Sequence, residues 1–157
     1  YAQDRGIDKL AAAASLGAVG FAGFLGQFFF GWLSDRIRDV KYSAILGMIV
    51  MIAGLLILLK TESPSVLYIY SLVYGFGYGC LAPMMPITIA DRFGRRDLGS
   101  VYGMLTFFIG AGGSVGPYLA GLIYDHYGSY DLAWQAGIGV LACVCLLLSF
   151  LKKGRRA

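Results

Sequence analysis

Polar chemistry in this sequence is confined to a few places. The densest is Gly31-Trp32-Leu33-Ser34-Asp35-Arg36-Ile37-Arg38-Asp39, where a long uncharged run meets charges of both signs. A second cluster, Asp91-Arg92-Phe93-Gly94-Arg95-Arg96, closes another uncharged run. Carboxylates and guanidinium groups at helix ends form charge-assisted hydrogen bonds, and an aspartate there also favours the positive N-terminus of a facing helix. Within the uncharged runs the polar groups are neutral. Gln27 can both donate and accept, and Tyr70, Tyr74 and Tyr78 recur every four residues, so their hydroxyls share one helical face. No Asp, Glu or His lies inside any run, so the usual intramembrane proton or ion relay has no candidate there. Cys80, Cys143 and Cys145 read as small apolar packing residues, and no metal or cofactor set is expected. His126 beside Asp125 reads as a loop residue.

The elements that position these groups follow from charge segregation. Five uncharged runs (Leu10 to Ser34, Tyr42 to Leu59, Ser63 to Ala90, Leu98 to Tyr124, Leu132 to Leu151) contain none of the 13 Lys and Arg or the 9 Asp and Glu. Each is long enough for a helix to cross a hydrocarbon core of ~30 Å. An all-α membrane protein of five transmembrane helices is expected, with spans at about 10–34, 42–59, 65–90, 98–124 and 132–151. At 58% hydrophobic and 14% charged, the composition excludes an ordinary soluble domain. The lipid bilayer is the expected partner, and nucleic acid is not. The opening Tyr1-Ala2-Gln3-Asp4-Arg5 has neither an initiator Met nor a signal-peptide pattern, and reads as part of a longer protein.

Ten Lys and Arg fall on one face (Arg36, Arg38 and Lys41; Arg92, Arg95 and Arg96; and Lys152, Lys153, Arg155 and Arg156) and three on the other (Arg5, Lys9 and Lys60). The positive-inside rule then sets the N-terminus outside and the C-terminus in the cytoplasm.

Glycine and proline divide the spans into two kinds. Span one carries Gly17, Gly20, Gly23, Gly26 and Gly31, and span four carries Gly110, Gly112 and Gly113 and then Gly113, Pro117 and Gly121 at four-residue steps. Such helices suit close backbone approach to a neighbour. Span three has Gly75, Gly77 and Gly79 followed by Pro83 and Pro86, which predicts an interrupted helix in its second half. Spans two and five are plainly aliphatic and read as outer, lipid-facing helices. Gly31-Trp32-Leu33-Ser34-Asp35 at the inner end of span one is echoed by Gly121-Leu122-Ile123-Tyr124-Asp125 at the outer end of span four. An odd number of spans separates the two Gly-x-x-x-Asp frames, as an inverted three-helix repeat requires.

Together, Gly31-x-x-x-Asp35-Arg36, Gly75-x-Gly-x-Gly79 with Ala82-Pro83, Asp91-Arg92-Phe93-Gly94-Arg95-Arg96, Leu98-Gly99-x-x-Tyr102-Gly103 and Gly116-Pro117-x-x-Ala120-Gly121-x-x-x-Asp125 resemble the C-terminal half of a major facilitator superfamily transporter. The closest branch in appearance is the monocarboxylate and oxalate/formate one. The signature loop departs from the family pattern at Arg38 and Asp39. The resemblance implies helices eight to twelve of twelve, a secondary transporter working by alternating access with an N-terminal half of the same protein, a small-molecule substrate, and a plasma (inner) membrane location. It also implies a substrate cavity drawing on Gln27, Tyr74, Tyr78 and Ser114, and a cytoplasmic latch of Gly31, Asp35, Arg36, Arg38, Asp91, Arg92 and Arg95. In that latch the arginines pair with Asp91 across loops, and Asp35 caps a helix of the other half. Gly75, Gly79, Pro83, Pro86, Gly113, Pro117 and Gly121 serve packing and kinks. Gln27 stands where that branch carries an arginine for a carboxylate, so an acidic substrate needs its cation from elsewhere.

Two other classes fit parts of the pattern. Gly31-x-x-x-Asp35-x-x-x-Asp39 matches the second half of the CDP-alcohol phosphotransferase motif, but the uncharged span one supplies no acids for the first half, and no enzyme is expected. A small oligomeric channel or membrane assembly subunit of five helices is the remaining alternative.

Overall fold

The computed structural model describes residues 1–2, 6–37, 39–61, 63–94 and 96–151, without the side chain of Phe93. Arg38 and Arg95, both assigned to the latch, lie outside the described residues. The described chain is helical: α1 (Lys9–Arg36), α2 (Val40–Leu58), α3 (Pro64–Tyr78), α4 (Leu81–Phe93), α5 (Leu98–Tyr127) and α6 (Asp131–Phe150). Five spans are long and apolar enough to cross a membrane, α3 and α4 together making the third, Pro64–Arg92.

Local sequence fixes the helix ends. The Asp8 carboxylate accepts from the Leu10 amide at 3.2 Å and Asp39 from the Lys41 amide at 3.2 Å, each satisfying a donor that the first turn leaves free. Pro64 opens α3 at a position that needs no amide donor. Gly94 (φ 82°) and Gly128 (φ 65°) close α4 and α5 in backbone conformations open chiefly to glycine.

The third span breaks between Tyr78 and Leu81. Proline clashes with the carbonyl four residues back, which for Pro83 is that of Gly79, and here the regular hydrogen bonding is interrupted. The backbone tightens instead, with the Cys80 amide donating to Gly77 O at 3.0 Å. Pro83 then lies in the first turn of α4, where no donor is required, and Pro86 lies within α4. Pro117 is likewise internal to α5, which remains a single 30-residue helix.

α3 is held between α1 and α2. In lipid, apolar area drives little helix association, so close approach must supply it. A Cβ on Gly26 would run into Phe76 O, one on Gly75 into Val19 O, and one on Gly77 would stand 2.7 Å from Gly47 O. On the α2 side, a Cβ on Gly54 would lie 2.7 Å from Tyr74 Cβ. Fully buried Ser43 donates across to Phe30 O at 3.4 Å, and Ser71 donates to Leu67 O within its own helix at 2.8 Å.

Span two differs from the sequence expectation, whereas span five (α6) has no buried residue among those described. α2 buries a face of eight residues, among them Met51, Leu55 and Leu58, and leaves Ile49 and Leu56 half exposed on its other side. Glycine-rich α5 has no buried residue among those described. Span two is therefore packed on one side, and among the described residues a Cβ added to the glycines of span four would meet nothing within 4 Å. α6 packs against α2, and α5 touches mainly α4 and α6. Aromatic rings collect at one end, where Tyr1 packs on Trp134 (5.8 Å) and Tyr124 stacks on Tyr130 (4.5 Å), as expected of a membrane interface.

Candidate functional site

Two groups of polar residues emerge. At the basic end, Arg92 on α4 donates through Nη2 to Asp39 Oδ1 at 3.1 Å, and its Nε lies 3.7 Å from Asp91 Oδ2. Side-chain exposures of 13% for Arg92 and 4% for Asp39 make this a largely desolvated pair, unlike a solvated surface contact. Asp39 also caps α2, so one carboxylate sets the start of that helix and pins the end of α4. Two residues on, Lys41 Nζ donates to Ser149 O (3.2 Å) and Leu151 O (2.8 Å) at the C-terminal end of α6, where a cation complements the helix dipole. The start of α2 thus holds both α4 and α6.

Sequence reasoning placed Asp91 and Arg92 in this region but left Asp39 out of the latch, treating it as a departure in the signature loop. The available signal was local: an aspartate directly ahead of an apolar run is a helix N-cap pattern. Among the described residues, Asp91 meets Arg92, its sequence neighbour. Asp35 is exposed at the end of α1, and Arg36 lies over the Trp32 ring at 5.0 Å. Gly31 faces Pro83, where an added Cβ would sit 4.0 Å from the proline side chain.

The second group surrounds the broken span. A Cβ on Gly79 would stand 2.8 Å from the Gln27 backbone nitrogen, which puts Gln27 level with the break. Gln27 and Tyr78 are both exposed. Tyr70, Tyr74 and Tyr78 form a stack, with centroids 5.5 Å and 6.2 Å apart and interplanar angles of 30° and 21°. Tyr74 at its centre is partly buried against α2 and lines a groove of about 760 Å³ that reaches α5 and α6. Ser114 is not brought to this group: it sits exposed on α5, donating to Gly110 O at 3.1 Å. Gly113 and Gly121 on the same helix have no atoms within 4 Å of an added Cβ.

Comparison with known proteins gives this geometry its context. The Major Facilitator Superfamily matches residues 1–155. The chain is 28% identical to monocarboxylate transporter 12-B of Danio rerio, across 95% of this chain and 32% of that protein. It is 29% identical to monocarboxylate transporter 12 of Rattus norvegicus, across 99% and 33%. To monocarboxylate transporter 2 of Meriones unguiculatus it is 26% identical, across 94% and 32%. The chain spans about a third of the length of these relatives.

Proposed function

From the premise that the chain belongs to the Major Facilitator Superfamily, we propose that it forms the C-terminal five helices of a secondary transporter that moves a small organic acid by alternating access. The broken third span carries this reading. A helix interrupted at membrane depth is tolerated where it lies against protein or lines a water-filled cavity, and this one breaks beside the backbone of Gln27, a residue that is exposed, as is Tyr78. Relatives named as monocarboxylate transporters support an acid as the solute. Gln27 and Tyr78 offer neutral hydrogen bonds, so the cation that holds the carboxylate comes from the N-terminal half. The protein is a multi-pass membrane protein. In this reading it lies in the plasma membrane with the clasp of Asp39, Arg92 and Lys41 on the cytoplasmic side, and the exposed Asp35 caps a helix of the N-terminal half.

The test is uptake by the full-length transporter in proteoliposomes, screened against small organic acids, neutral solutes and organic cations, with and without a proton gradient. Saturable uptake of an acid is expected. Uptake confined to neutral or cationic solutes removes the acid assignment, and no uptake of any solute returns the channel alternative.

In the same assay Gln27→Ala should raise the KM for the acid about three- to tenfold, the effect of losing one neutral hydrogen bond worth roughly 0.5–1.5 kcal/mol. An unchanged KM at normal expression would make Gln27 a packing residue.

A further inference from the structure

We propose that a second groove, between α1 and α2, seats an acyl chain of an anionic phospholipid whose phosphate is held by Arg36 at the end of α1. This groove, of about 350 Å³, has Phe21 and Leu25 on one wall, Val50 on the other and Leu72, Val73 and Phe76 of α3 as its floor. Every side chain lining it is apolar. An organic acid placed there would lose its hydration without gaining a hydrogen bond, whereas a hydrocarbon chain pays no such penalty.

Helical spacing leads from this groove to a cation. Phe21, Leu25, Phe29, Trp32 and Arg36 follow one another at steps of four, four, three and four residues, so they share one face of α1. The stripe is open, with Phe29 the least exposed of its aromatic and aliphatic members at 40%, and Arg36, also exposed, lies over the Trp32 ring at 5.0 Å. A planar guanidinium suits a phosphate, and Trp32 adds an indole N–H at the depth where tryptophan favours the membrane interface. Leu25 stands about 16 Å along the helix axis from Arg36, at a rise of ~1.5 Å per residue, and a lipid chain descends through half of a hydrocarbon core of ~30 Å. A phosphate at Arg36 therefore brings the end of its chain to Leu25 and into the groove.

The surroundings favour lipid over the transported solute. Gln27 shares a different face of α1 with Gly20, Phe24 and Gly31, and Gly31 is the residue that faces Pro83 of α4, so the stripe is separate from the candidate transport site. On the α2 wall, Val50 adjoins the exposed aliphatic side of Leu46 and Ile49, and Tyr42 stands exposed at the end nearer Arg36. That end of the spans also gathers most of the Lys and Arg of the sequence, the charge that draws anionic headgroups to a membrane surface. The N-terminal half of the transporter is the competing occupant of this face.

The inference rests on α1, α2 and α3 spanning a membrane and not on the solute, so it is tested by lipid retention and not by transport. Full-length protein is equilibrated with vesicles of phosphatidylcholine containing phosphatidylglycerol and extracted in mild detergent, and the lipids retained per protein are counted by native mass spectrometry. Phosphatidylglycerol should be retained in preference to phosphatidylcholine. Arg36→Gln should weaken that retention about five- to tenfold, the effect of losing one charge-assisted contact. Leu72→Trp, which fills the floor of the groove and leaves Arg36 intact, should weaken it as well, while Leu56→Trp, on the exposed side of α2 outside the groove, should not. Soluble glycerol phosphate, which has the headgroup charge and no chain, should not compete. Equal retention of the two lipids by the parent, displacement by glycerol phosphate, or a loss in Leu56→Trp equal to that in Leu72→Trp overturns the proposal. So does parental retention in Arg36→Gln or Leu72→Trp, the result expected if the N-terminal half covers this face. If Leu72→Trp fails to fold, Leu25→Trp on the α1 wall takes its place.

Discussion

Gly79→Leu is expected to abolish the stable fold of the full-length transporter. The first side-chain carbon would run into Gly23 O and stand 2.8 Å from the Gln27 nitrogen and 2.9 Å from Gly26 Cα. All three are backbone atoms, so no rotamer change relieves the overlap, and α1 must move away from α3 along a seam that also holds Gly26 and Gly75. Overpacking typically costs about 1–3 kcal/mol, and a leucine with three further carbons at a backbone-to-backbone contact belongs at or above the top of that range. Gly139→Leu is the matched control, because Gly139 is exposed on α6 with nothing within 4 Å of an added Cβ, and leucine is the better helix former. The readouts are thermal unfolding and monodispersity of the purified protein. Gly79→Leu should aggregate or melt far below the parent, with Gly139→Leu at or above it. Equal melting of the two variants would mean that the α1–α3 seam does not support the fold.

The second large effect is expected at Asp39. Replacing it by asparagine removes the 3.1 Å pair with Arg92 and leaves that guanidinium with the Asp91 carboxylate at 3.7 Å. Deleting one partner of a buried pair costs on the order of 3–5 kcal/mol, and the remaining Asp91 contact together with the 13% exposure of Arg92 brings the expectation toward about 2 kcal/mol. The functional consequence should exceed the loss of stability. With Arg92 released, α4 is tied to the loop before α2 less firmly, and the break at Gly79 and Cys80 is the natural point about which it swings. Asp39→Asn should therefore increase thiol labelling of a cysteine placed at Tyr78 from the cytoplasmic side. The exchange Asp39→Arg with Arg92→Asp should restore much of the parental accessibility. If Asp39→Asn melts and labels as the parent does, the clasp is a passive pairing of charges.

The two predictions also show where sequence reasoning reaches and where it stops. Charge exclusion from long runs is a one-dimensional property with a direct physical cause, the cost of placing ions in hydrocarbon. The five spans and the grouping of arginines at their ends could therefore be read without coordinates. The break in the third span was legible for a similar reason, since Pro83 and Pro86 act through atoms four residues away on the same helix. Asp39 was in view but unassigned, because its partner Arg92 is 53 residues distant and nothing local says which arginine it meets. Likewise, the abundance of glycine in spans one and four looked alike in sequence, yet only the first is matched to a neighbour within this chain.

By itself the sequence determined that this is a polytopic membrane protein with an interrupted third span and a glycine-dependent interior, because hydrocarbon solvation, proline sterics and glycine's lack of a side chain act residue by residue. Only the tertiary structure decided which glycines are in use, that Asp39 and Lys41 gather α4 and α6 onto the start of α2, and that Ser114 stands apart from Gln27 and Tyr78. These depend on which helix faces which, and in a bilayer that choice comes from close packing between distant segments, which no local pattern of hydrophobicity encodes.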